Sequence, residues 1–150
     1  MDIWEELVLD YLTLDRRVFV QPQYGLGDKT WAASLDFLAL DFAKKTIWMC
    51  EVSGGSSGFD AKCAEFTDEY MPRIRHELRQ TAPMLDLDDW TFGMWLFVPN
   101  KNVDWARGLL DKNTLSKSEV TAFEDIVSMF TNGGAPWEER HHNFKAFVRT

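Results

Sequence analysis

Asp36 and Glu51 are the residues of this chain whose types and spacing most directly suggest chemistry. They lie in Ser34-Leu35-Asp36-Phe37-Leu38-Ala39-Leu40-Asp41-Phe42-Ala43-Lys44-Lys45-Thr46-Ile47-Trp48-Met49-Cys50-Glu51-Val52-Ser53, two apolar runs joined by a Lys-Lys turn. Paired as an antiparallel hairpin turning near Lys44, these runs set Asp36 across from the neighbourhood of Glu51. Two carboxylates placed together in apolar surroundings are costly unless a cation or a proton sits between them. A divalent metal is the economical solution.

The elements that must position this pair can be read on either side of it. Apolar residues at Ile3, Leu7, Leu9 to Tyr11 and Leu14 have helical spacing, with Asp2 as N-cap, which predicts a first helix from Asp2 to about Leu14. Arg17 to Gln23 reads as a strand through Val18, Phe19 and Val20, closed by Pro22 and the Gly25-Leu26-Gly27-Asp28 loop. The hairpin strands follow, Leu35 to Phe42 and Thr46 to Ser53, and their near-continuous apolar character predicts central strands covered on both faces. Gly54-Gly55-Ser56-Ser57-Gly58 ends the second of them.

A long helix is expected from about Asp60, as N-cap, to Gln80, with Phe66, Tyr70, Ile74 and Leu78 as its apolar stripe and Pro72 as an interruption. Trp90 to Val98 reads as another buried strand. The last third reads as helical: Ser116-Lys117-Ser118-Glu119 resembles a capping box ahead of Val120 to Phe130, and Pro136 opens a terminal helix through Phe147. The expectation is one α/β domain over residues 1–150, a mixed central sheet flanked by helices, with its core at about 2–98 and a C-terminal helical part at about 103–150.

Composition agrees with a globular chain. Of 150 residues, 45% are hydrophobic and 14% aromatic, including seven tryptophans. The formal charge of -8 argues against a general nucleic-acid coat, whose affinity comes from Lys and Arg neutralising phosphates. A single site is compatible with it, because an acidic metal cluster contributes negative charge itself. Cys50 and Cys63 have neither zinc-site nor disulfide spacing and read as buried hydrophobes of a reducing compartment. The acidic N-terminus is unlike a secretory signal and no apolar run approaches a membrane span, so the expected location is the cytoplasm and no membrane partner is expected.

The order helix, strand, strand, strand, helix, strand, together with Leu35-Asp36 and Glu51-Val52-Ser53, resembles the PD-(D/E)xK, or restriction-endonuclease-like, nuclease superfamily. The resemblance covers roughly Glu5 to Val98 and implies an αβββαβ core. It implies that Asp36, near the start of the second strand, and Glu51, on the third, bind Mg²⁺ or Mn²⁺. The family's lysine, two residues beyond the glutamate, is here Ser53, which brings no positive charge to the water or the phosphate. Some members supply that lysine from the following helix, which makes Lys62 the candidate; a solvated surface lysine is the plain alternative. Many members add a glutamate from the first helix as a metal ligand. Glu6, on the face of Ile3 and Asp10, is the choice over Glu5, although both also serve as first-turn acids favouring the helix dipole.

Two functional readings stand open on sequence alone, beside a plainer one in which Asp36 and Glu51 merely close a core without metal. One is a metal-dependent nuclease hydrolysing phosphodiester bonds, with DNA as the first-choice nucleic acid and a homodimer as one way to cut two strands. The other is a catalytically degenerate protein on the same fold, a binding or inhibitory module for a nucleic-acid-processing protein partner. Three weaker signals complete the pass. Glu138 and His142 are one helical turn apart but lack a second histidine for zinc. Gly25-Leu26-Gly27 reads as a turn, and Asp41 as a solvated turn residue.

Overall fold

The computed structural model describes residues 1–14, 18–26, 34–55, 58–113, 115 and 117–131. In chain order its elements are α1 (Ile3–Thr13), β1 (Val18–Gly25), β2 (Ser34–Asp41), β3 (Thr46–Val52), α2 (Asp60–Glu65), α3 (Met71–Thr81), β4 (Thr91–Val98), α4 (Val103–Lys112), β5 (Ser118–Ala122) and α5 (Phe123–Thr131). The five strands form one mixed sheet in the order β1-β2-β3-β4-β5. β1, β2 and β3 are antiparallel neighbours, while β4 runs parallel to β3 and β5 parallel to β4. This is a single α/β domain with helices on both faces of the sheet.

Strand alternation sorts the core into two layers. On one face Leu38, Ile47, Met49, Met94, Leu96 and Val98 pack with side chains of α2, α3 and α4. On the other, Phe37, Ala39, Trp48, Cys50 and Phe97 pack with Val8 and Leu12 of α1 and Phe123 and Ile126 of α5. Burial on both faces is why the central strands read as continuous apolar runs. At the crossing of Trp48 and Gly93 the indole lies over the glycine: a Cβ built there would fall 2.6 Å from the ring.

α1 begins where the sequence places it. Asp2 accepts from the Glu5 amide at 2.9 Å and the Glu5 carboxylate accepts from the Asp2 amide at 2.8 Å, a complete capping box. Four expectations are corrected. Pro22 does not close β1 but lies inside it, which an edge strand tolerates because one side of its backbone needs no ladder partner. Ser118–Ala122, expected to open a helix, is instead a fifth strand on the free edge of β4, and its helix begins only at Phe123. Asp60 does not cap α2; Phe59 holds that position without a side-chain hydrogen bond, and Asp60 is a first-turn acid.

The long helix is divided ahead of Pro72, in keeping with the interruption expected there. Between α2 and α3, Phe66–Tyr70 forms a π-helical turn, closed by the Met71 N–H on the Phe66 carbonyl. Pro72 has no N–H for the carbonyl four residues back and its ring crowds that position, so the chain widens just ahead of it. Asp41 is the fourth correction: it is buried, and its Oδ1 accepts from the amides of Ala43 and Lys44 at 3.0 Å, tying the hairpin turn. The terminal helix from Pro136 and the Glu138/His142 pair lie outside the described residues. Among those described, no helix is long and apolar enough to cross a membrane.

Candidate functional site

The hairpin register brings the two acids together. Its ladder runs from Asp41↔Thr46 to Phe37↔Cys50. One step further stand Asp36 and Glu51, on the face of Leu38 and Met49 that α2, α3 and α4 cover. The main-chain pairing stops at this step because Asp36 takes over: its Oδ2 accepts from the Val52 N–H at 2.8 Å. The site lies at the end of the sheet where β2 begins and the parallel strands β3, β4 and β5 finish.

Glu51 is 2% exposed, and a carboxylate so enclosed needs compensation. One oxygen has it: Lys62 Nζ, from the first turns of α2, lies 2.7 Å from Glu51 Oε2 and donates also to the Ser34 carbonyl at 3.4 Å. The other oxygen, Oε1, is buried with no donor in reach. Burial first, and then the charge and a hydrogen bond of Asp36, push the Glu51 carboxyl up to about 8 against the opposing pull of Lys62. Burial works against the Lys62 ammonium, but Glu51 and then Asp36 outweigh it and hold the lysine above its ordinary range. Two carboxylates and one ammonium therefore share one partly closed recess.

The remaining sequence candidates lie apart from this trio. The Ser53 N–H donates to Phe97 O at 3.1 Å, and its hydroxyl accepts from the Gly55 N–H at 3.2 Å, tied into the loop. Glu6 is exposed on α1, whose buried residues pack against the opposite face of the sheet. Among the described residues, no three His, Cys, Asp or Glu side chains converge as a metal-holding group. Glu5, passed over for Glu6, is committed to the capping box. Cys63, next in sequence to Lys62, is no nucleophile: burial, then Asp60 and Glu51, push its thiol up to about 12.

Sequence reasoning missed one neighbour of the trio. Tyr70, counted only as part of an apolar stripe, is buried and interacts electrostatically with both Lys62 and Glu51. The signal available was Pro72, whose local widening changes where Tyr70 faces. Comparisons with known proteins add nothing to this geometry: no protein-family model, no curated protein and no solved structure matches the chain.

Proposed function

We propose that this chain is a metal-dependent nuclease of the PD-(D/E)xK, restriction-endonuclease-like type, hydrolysing phosphodiester bonds of DNA. The observation that carries the reading is the Glu51 carboxylate, which meets a lysine through Oε2 and leaves Oε1 buried and unpartnered beside Asp36. A buried carboxyl oxygen without a hydrogen-bond partner next to a second carboxylate fits a hard divalent cation, and Asp36 and Glu51 are the residues that would hold Mg²⁺ or Mn²⁺. Such an ion, when bound, supplies Lewis acidity, neutralising charge on the phosphodiester and acidifying water.

The chain's own residues do the rest. Glu51 would hold such an ion as the carboxylate, so the proton that burial and then the charge of Asp36 keep on it would leave on binding. Lys62, held charged, cannot serve as a base near neutral pH; it donates hydrogen bonds. Its ammonium turns from Glu51 toward the non-bridging oxygens of the phosphate and stabilises the charge that builds there during attack. Supply of this cation from α2 replaces the one that Ser53 does not provide. The Asp36 bond to the Val52 amide fixes that carboxylate to the end of β3, so the recess keeps its shape.

Incubating supercoiled plasmid with the protein and Mg²⁺ or Mn²⁺ tests this. Nicking or linearisation is expected, lost with a chelator and in Asp36→Ala and Glu51→Ala. Absence of cleavage of DNA and RNA with both ions, with no heat of metal binding by calorimetry, overturns it. The binding or inhibitory module is favoured by one observation, the Ser53 hydroxyl tied to Gly55 where the family carries a charge. An inert wild-type protein that cuts DNA once Ser53→Lys is made would support that alternative.

A further inference from the structure

The π-helical turn between α2 and α3 is explained by Pro72 as a matter of covalent geometry, but its consequence lies at the site. In an uninterrupted helix, position 70 would be rotated by about 80° from position 62, since eight residues at about 100° each overshoot two turns. The turn from Phe66 to Tyr70 absorbs one extra residue. Tyr70 therefore stands close to where a seventh residue would stand, within roughly 20° of the Lys62 direction. The helical lean of side chains toward the N-terminus carries its phenol back along the axis toward the turn that bears Lys62. Tyr70 is 6% exposed and packs in the core cluster of Leu38, Met49 and Cys63, on the face of the sheet that carries Glu51.

We infer that Tyr70 is a positioning residue for Lys62: presented by the π-helical turn, it restricts the lysine's long side chain to the Glu51 recess. The inference rests on the nuclease reading for its effect on catalysis but not for its structural content. A lysine on a flexible four-carbon stem needs such a wall, because a 26%-exposed side chain otherwise samples solvent. The electrostatics agree with the geometry. Burial raises the Tyr70 phenol, the Lys62 charge then lowers it, and Glu51 and Glu65 raise it. The same proximity shows in the lysine, which the ionised phenol would raise.

Tyr70→Phe tests the hydroxyl while keeping the buried ring, and Tyr70→Met removes the ring while filling the space. Brief acylation with an N-hydroxysuccinimide acetate, read by peptide mass spectrometry, reports how freely each lysine reaches solvent. Lys62 is expected to label at least about threefold faster in Tyr70→Met and near the wild-type rate in Tyr70→Phe, with Lys44 and Lys101 unchanged. In plasmid cleavage by Tyr70→Met, kcat is expected to fall about tenfold with KM within about twofold, a split that general loosening would not give. Unchanged Lys62 labelling in Tyr70→Met overturns the inference. If wild-type protein cuts nothing, the nuclease reading falls, and the labelling comparison still decides the role of Tyr70.

Discussion

Glu51 imposes a pH dependence on folding whose sign is opposite to that of an ordinary salt-bridged acid. In the unfolded chain its carboxyl titrates near 4.5, whereas in the folded protein it holds its proton up to about 8. Between those values the folded state binds more protons than the unfolded one, so stability falls as pH rises through the window and the loss is complete above about 8. A rise from 4.5 to about 8, at ~1.4 kcal/mol per pH unit, amounts to about 5 kcal/mol as an upper figure. A domain of this size has roughly 5–15 kcal/mol in total, so the effect is large enough to measure.

Urea unfolding from pH 5 to 9, followed by Trp fluorescence, is the assay. Wild-type stability is expected to decline across that range relative to Glu51→Gln, which keeps the side chain's shape without a titrating proton. The difference between the two curves isolates Glu51 from the other carboxylates. Millimolar Mg²⁺ or Mn²⁺ should flatten the wild-type curve, because an ion that binds the deprotonated pair stabilises the folded state by mass action, and should leave Glu51→Gln unaffected. Parallel curves for the two proteins without metal would refute the argument that burial and Asp36 together hold the proton on Glu51.

Three further outcomes follow from the same contacts. Lys62→Ala should lower metal-dependent cleavage by ~10²-fold to 10³-fold, the usual loss for a transition-state donor, with circular dichroism unchanged; cleavage at the wild-type rate would remove Lys62 from the mechanism. Gly93→Ala should destabilise the fold by about 1–3 kcal/mol in urea titration, since its Cβ would drive into the Trp48 ring at 2.6 Å and the Lys117 carbonyl at 3.1 Å. Asp41→Ala should cost about 1–3 kcal/mol, because it strips the acceptor from two turn amides in a partly buried corner; an unchanged melting temperature would show that water replaces it freely.

Local patterns in the chain sufficed for α1, for the β2–β3 hairpin, for β4 and for the juxtaposition of Asp36 with Glu51. These follow from interactions between near neighbours: a capping residue three positions from its partner, apolar runs matched to strand length, and a turn that sets the register of the strands it joins. Lys62 was legible as a candidate only through the family resemblance, in which some members supply the lysine from the helix after the third strand. Ser118–Ala122 was not legible, because a five-residue edge strand is created by the open edge of β4 and not by its own letters, and Ser-Lys-Ser-Glu satisfies a capping pattern equally well.

Only the tertiary structure decided the state of the site. Whether Glu51 is charged depends on its enclosure beneath α2, on Asp36 one strand away and on Lys62 eleven positions later, and no sequence window contains that balance. Tyr70 entered the neighbourhood through the extra residue of a π-helical turn, which re-phases everything after it by about one position. Strand order and local pairing are properties of short segments, whereas desolvation is a property of what the whole fold packs around a group. The sequence thus determined which chemical groups meet at the end of the sheet, and the packing of the helices over them determined their protonation and their reach.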